Sequence, residues 1–144
     1  MEFTSALVLA DLAGLSKEGK LRTFTDTNAL DLQVDQLKKL SSRAKTTDPI
    51  RRFLSIYDII MRLAEIQVLL NGYLFDNAPH VAMRQVVSMI CPECTEVLLK
   101  DLSNIRHLAK KNNVVPQARS IQDLENVLAK LASQTVVNGS IDWD

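Results

Sequence analysis

Cys91-Pro92-Glu93-Cys94 is the segment whose residue types most directly suggest chemistry. A Cys-x-x-Cys pair is redox-active when its first thiol lies at a helix N-terminus, where the dipole favours the thiolate. Pro92 opens a new helix in the sequence pattern, which gives Cys91 that position, but the βαβ pattern of a thioredoxin-like fold is missing around it. A zinc site needs two further ligands, and His80 and His107 are the histidines the chain has. With ten residues between His80 and Cys91, and twelve between Cys94 and His107, the spacing fits no common zinc module. The pair is expected to be structural, reduced and metal-free, with Cys94 in the core; redox and metal roles are the alternatives.

His80 follows Pro79 at a helix start and is expected in solvent or in a local hydrogen bond, with acid–base work as the alternative. No Gly-rich phosphate loop, Gly-x-Ser-x-Gly elbow or His-Glu-x-x-His pair occurs, so no cofactor, metal or complete catalytic motif is expected. Asp58 and Glu65 have helical spacing to Arg62 and are expected to pair with it. The remaining signal is basic. Lys100, Arg106, Lys110, Lys111 and Arg119 form one group; Lys38, Lys39, Arg43, Lys45, Arg51 and Arg52 form another. Cations near a helix C-terminus also simply complement its dipole, which is the plainer reading of both.

These residues must be positioned by helices. The 144 residues are 47% hydrophobic and 24% charged, ordinary values for one globular domain with a real core. The 17 basic and 17 acidic side chains cancel, so any attraction to a polyanion has to be local. No apolar run is long enough for a membrane span, and the apolar stretch Ala6 to Leu15 is interrupted by Asp11 with no basic start before it. With two cysteines and no export signal, the cytoplasm is the expected compartment.

Apolar spacing and capping residues predict six helices. The first runs from Thr4 to Lys17, apolar nearly all round, and Lys20 to Thr25 reads as a loop or short extended piece. A second spans Thr27 to Lys45. Asp48-Pro49 then opens the longest, Pro49 to Phe75, whose polar residues Arg51, Ser55, Asp58, Arg62, Glu65 and Gly72 trace one thin stripe; it should be the central helix. Asp76-Asn77-Ala78-Pro79 turns into a short helix ending at Ile90. A fifth helix, Pro92 to Asn112, should bury Cys94, Leu98, Leu102, Ile105 and Ala109. Ser120-x-x-Asp123 reads as a capping box opening the last, to about Thr135, with Ile121, Leu124, Val127, Leu128 and Leu131 on its core face. Short loops make this an all-α antiparallel bundle over residues 1–137. Residues 138–144 read as a polar, flexible tail in which Trp143 could dock.

The span Ile50 to Ala132 resembles the HEPN superfamily, small helical domains of prokaryotic ribonuclease toxins and nucleotidyltransferase-associated proteins. The likeness is one of layout: a long apolar helix, a turn with Pro79-His80, a short helix, a long helix ending in Arg106-His107, and a final helix. The family pattern is an Arg, then four to six residues, then a His. Here Lys111, Asn112 and Asn113 stand where that His would be. On a continuous helix Asn113 returns to within about 20° of Arg106, whereas His107 is turned about 100° away. An amide can hold a phosphate but does not exchange protons near neutral pH as His does. The resemblance therefore implies a homodimer and a binding surface formed by Arg106, Asn113, Lys110 and Asn112, in a toxin–antitoxin or defence setting. Three functions are open: a non-catalytic or weakly catalytic module binding RNA, a nucleotide or a protein partner; an active metal-independent ribonuclease using Arg106, Asn113 and His80; and a helical adaptor.

Overall fold

A computed structural model describes residues 2–24, 26, 28–139, 141 and 142. Six helices, α1 (Leu9–Lys17), α2 (Ala29–Ala44), α3 (Pro49–Leu70), α4 (Pro79–Ile90), α5 (Glu96–Asn112) and α6 (Ala118–Thr135), pack as an all-α bundle. Four short strands, β1 (Glu2–Phe3), β2 (Leu21–Thr23), β3 (Tyr73–Phe75) and β4 (Val136–Asn138), form two antiparallel ribbons, β1 with β4 and β2 with β3.

The central position of α3 follows from its composition. Asp48 caps it by accepting from the backbone N–H groups of Ile50 and Arg51, and Pro49 fills the first turn where no N–H is needed. Phe53, Ile56, Tyr57, Ile59, Ile60, Leu63, Ala64, Ile66 and Val68 are all buried, because α2, α4, α5 and α6 surround the helix. Each large aliphatic or aromatic side chain removed from water contributes about 1.5–3 kcal/mol, so this one helix organises most of the core.

Several boundaries differ from expectation, each for a visible reason. Helix α1 begins at Leu9 because the preceding segment is drawn out along α3. Buried Gln67 accepts from the Ala6 N–H at 2.8 Å and donates to the Thr4 carbonyl at 2.7 Å, satisfying an extended backbone that would otherwise be unpaired. Leu12 and Leu15 of α1 are buried, while Leu9 and the preceding Val8 are large apolar residues left exposed. Helix α3 stops at Leu70, short of Phe75, since Gly72 adopts φ +84° and Tyr73 to Phe75 pair with Leu21 to Thr23. Helix α5 opens at Glu96 under a Thr95 cap, whose hydroxyl accepts from the Leu98 N–H at 3.2 Å, so Pro92 does not start it. Its buried face is Leu99, Leu102 and Ala109, with Leu98 and Ile105 only half-buried. Helix α6 starts two residues before Ser120, at Ala118 after Gln117, with no side-chain cap. Of the described residues near the C-terminus, Ile141 lies in the core and Asp142 pairs with Lys45 at 2.9 Å. The docking expected of Trp143 lies outside the described residues. Among the described residues no helix is long and apolar enough to cross a membrane.

Candidate functional site

Arg106 is the side chain around which polar groups from three helices gather. On α5 it sits one turn beyond Leu102 and just before Ala109, both buried, so its stem is drawn toward the core and its side chain is only 17% exposed. The guanidinium lies over the Tyr57 ring of α3, 5.0 Å from its centroid, a cation–π arrangement. One terminal nitrogen stands 3.7 Å from Asp58 Oδ1, while Nε is buried with no hydrogen-bond partner.

The surrounding network fixes this geometry. Tyr57 donates its hydroxyl to Ser103 Oγ at 3.2 Å, and Arg84 of α4 donates to the same oxygen at 3.4 Å. His80, in the first turn of α4, sets its ring 6.2 Å from that of Tyr57, and its Nδ1 is buried without a partner. Helix α4 can begin there because Ala78 takes a left-handed conformation, φ 50°, and turns the chain sharply into Pro79. His80 is thus not in solvent as expected; it belongs to the Arg106 cluster.

Charge and burial compete at this cluster. Burial pushes the Asp58 carboxyl up from its ordinary value of 3.8, against the pull of Arg106, Lys110 and Arg62. Burial also pushes His80 below 6.5, helped by the positive field of Arg106, so its neutral form is favoured near neutral pH. Arg106, Arg84 and Lys110 together carry more positive charge than the one carboxylate of Asp58 neutralises.

The structure brings together two of the four residues expected to bind. Lys110 is exposed, yet its charge reaches both Asp58 and His80 alongside that of Arg106. Asn112 and Asn113 are exposed at the end of α5, and among the described residues no side-chain hydrogen bond or ion pair joins them to the cluster. Asn113 adopts φ 53° as a left-handed helix cap, so the angle of a continuing helix no longer sets its side-chain direction. Tyr57, Ser103 and Arg84 were missed by sequence reasoning; they are ordinary helix residues whose convergence carries no local signal. Asp58 was assigned to Arg62, but Arg62 bonds Glu65 at 2.9 Å and Gln33 at 3.2 Å, leaving Asp58 to face Arg106.

The cysteines are placed otherwise than a redox pair requires. Cys91 ends α4, and the turn closes with the Cys94 N–H on the Cys91 carbonyl at 2.9 Å, ahead of α5. Neither thiol therefore occupies a helix N-terminus. Both are buried and free, and burial, with Cys94 and Glu93 nearby, pushes Cys91 up to about 12. Among the described residues, no three or more His, Cys, Asp or Glu side chains gather in a way that could hold a metal ion. No protein-family model matches this chain, and neither a curated protein nor a solved structure matches it.

Proposed function

We propose that this chain is a HEPN-like helical module that binds a phosphate of RNA or of a nucleotide at Arg106, works as a homodimer, and cleaves weakly or not at all. The observation that carries the reading is the Arg106 guanidinium itself, held over the Tyr57 ring with a buried, unpartnered Nε and an excess of neighbouring positive charge. Such a fork is suited to phosphate because it donates paired hydrogen bonds and stays charged at any working pH. Asp58 stands 3.7 Å from the guanidinium, beyond hydrogen-bond distance, so it leaves the fork's donors open. The layout shared with HEPN domains supports the same surface.

Fluorescence anisotropy with a labelled RNA oligonucleotide tests this. Binding is expected to weaken with added salt. It should also weaken at least about tenfold in Arg106→Ala, the scale of one charge-assisted hydrogen bond. Arg106→Lys keeps the charge, loses the fork and should recover only part of the affinity. Unchanged binding in Arg106→Ala means that Arg106 serves only as a structural ion pair with Asp58, and sinks the proposal.

A second reading, the metal-independent ribonuclease, is favoured by His80. A neutral imidazole beside Arg106 is a group able to accept a proton, which the amide of Asn113 is not. Intact RNA after prolonged incubation supports the binding module. Robust cleavage, abolished by both Arg106→Ala and His80→Gln, establishes the nuclease instead.

A further inference from the structure

We infer that the corner between α2 and α3 is a second ligand site, built for a small phosphomonoester carried on an apolar or aromatic body. Four cations meet at this corner, and the fold treats them differently. Lys45 is held by Asp142 at 2.9 Å, and Arg52 is held by Glu125 at 2.9 Å while also donating to the Ala44 carbonyl. Arg43 has no ion pair among the described residues, and Arg51 reaches Asp48 only at 3.9 Å with its side chain 80% exposed. Arg43 and Arg51, the two left largely unneutralised, line the same cavity of about 410 Å³, one from the end of α2 and one from the start of α3.

The rest of the lining matches a phosphoryl group with a body attached. Thr46 accepts from the Asp48 N–H at 3.2 Å, which leaves its own O–H free to donate into the cavity. Ser55 is buried to 9% exposure and lines the cavity. The Ser41 hydroxyl is spent on the Leu37 carbonyl one turn back; that of Ser55 has no such bond among the described residues. Leu54 supplies an apolar wall. Two guanidinium forks answer the two negative charges of a phosphomonoester, two hydroxyls add neutral donors, and Leu54 with the arginine stems gives the body a dry surface. The cavity falls within the roughly 300–1,000 Å³ range of small-molecule pockets. Arg51, Ser55 and the paired Asp58 lie along one stripe of α3, yet this corner is separate from the Arg106 cluster and shares no lining residue with it.

Calorimetric titration of the full chain with phenyl phosphate, inorganic phosphate and phenol tests the site. Phenyl phosphate should saturate with a Kd of order 1 mM or tighter. Inorganic phosphate should bind several-fold more weakly, and phenol not at all. Arg43→Ala and Arg51→Ala should each weaken phenyl phosphate about tenfold, and Ser55→Ala by a smaller factor. Both arginines are exposed and outside the core, and circular dichroism of each variant verifies that the fold is kept. Arg106→Ala should leave phenyl phosphate binding unchanged, which separates this site from the one proposed for RNA. Absence of saturable binding, or binding unaffected by both Arg43→Ala and Arg51→Ala, overturns the site. Equal affinity for inorganic phosphate overturns the role of the apolar body. Loss of binding in Arg106→Ala moves the ligand to the other cluster and overturns the assignment here.

Discussion

His80 and Asp58 both feel the Arg106 charge, yet burial moves their protons in opposite directions. Folding lowers His80 below 6.5, so between the folded and ordinary values the unfolded chain binds more protons. The stability that neutral His80 contributes is therefore complete above 6.5 and is lost as pH falls through the lowered value. Asp58 has the opposite sign: raised above 3.8, it contributes stability that is complete below 3.8 and lost as pH rises through the folded value. Denaturant unfolding at about pH 5 and about pH 7.5 should show the natural chain gaining stability with pH. His80→Gln, which cannot titrate, should show a smaller gain. An equal gain in both would mean that His80 titrates as it does in water. Asp58→Asn should leave the His80-dependent gain in place, because burial is its first cause.

At the scale of elements, the corner joining α4 to α5 illustrates how a helix boundary decides chemistry. Had α5 begun at Pro92, Cys91 would have met an array of unpaired N–H groups that favours a thiolate. Thr95 caps the helix instead, and the four-residue turn from Cys91 to Cys94 leaves both sulfurs in the core. Raising Cys91 from 9.0 to about 12 reduces its thiolate population near neutral pH by about a thousandfold. Aromatic disulfide reagents should therefore react with the native protein at least about tenfold more slowly than with the chain unfolded in guanidinium. Equal rates would place the thiols at the surface. Stoichiometric zinc by elemental analysis would overturn the metal-free expectation.

For the whole molecule, the ribbons are what close the bundle. Strands β1 and β4 join the two ends of the chain, and Thr4 donates to the Thr135 carbonyl at 2.9 Å, so the N-terminal segment is seated on α6 before α1 begins. This arrangement leaves Val8 and Leu9, 61% and 62% exposed, at the head of α1. That apolar patch is smaller than a helix apolar on all sides would present, but it adjoins half-buried Leu7 and is the surface that would be buried if the proposed homodimer forms. Sedimentation at micromolar concentration should give twice the chain mass, and Leu9→Asp should shift the particle toward the monomer without loss of helix signal. A monomer of about 16 kDa from the unaltered chain would count against the dimer.

Much of the bundle was legible in the sequence because its signals act over one or two helical turns. The thin polar stripe of α3, the Asp48-Pro49 start, the turn before Pro79 and the core face of α6 from Leu124 to Leu131 are all local patterns, and the fold keeps them. Arg106 was singled out as a candidate by the resemblance in layout, which expects an Arg near the end of the long helix. Its surroundings were not. Asp58 has an Arg four residues away, so local spacing pointed to Arg62, and only the packing of α5 on α3 gave it Arg106. The stacking on Tyr57, the arrival of His80 from α4 and the hydroxyl of Ser103 join positions 19 to 49 residues apart, counted as 103 to 84 and 106 to 57. The start of α1 and the end of α3 moved for the same cause. The strand pairing of Tyr73 to Phe75 with Leu21 to Thr23, and the grip of Gln67 on Thr4 and Ala6, are hydrogen bonds to distant backbone. Local propensity therefore determined which segments are helical, while tertiary contacts decided where those helices stop and which polar side chains meet, because those outcomes depend on partners far along the chain.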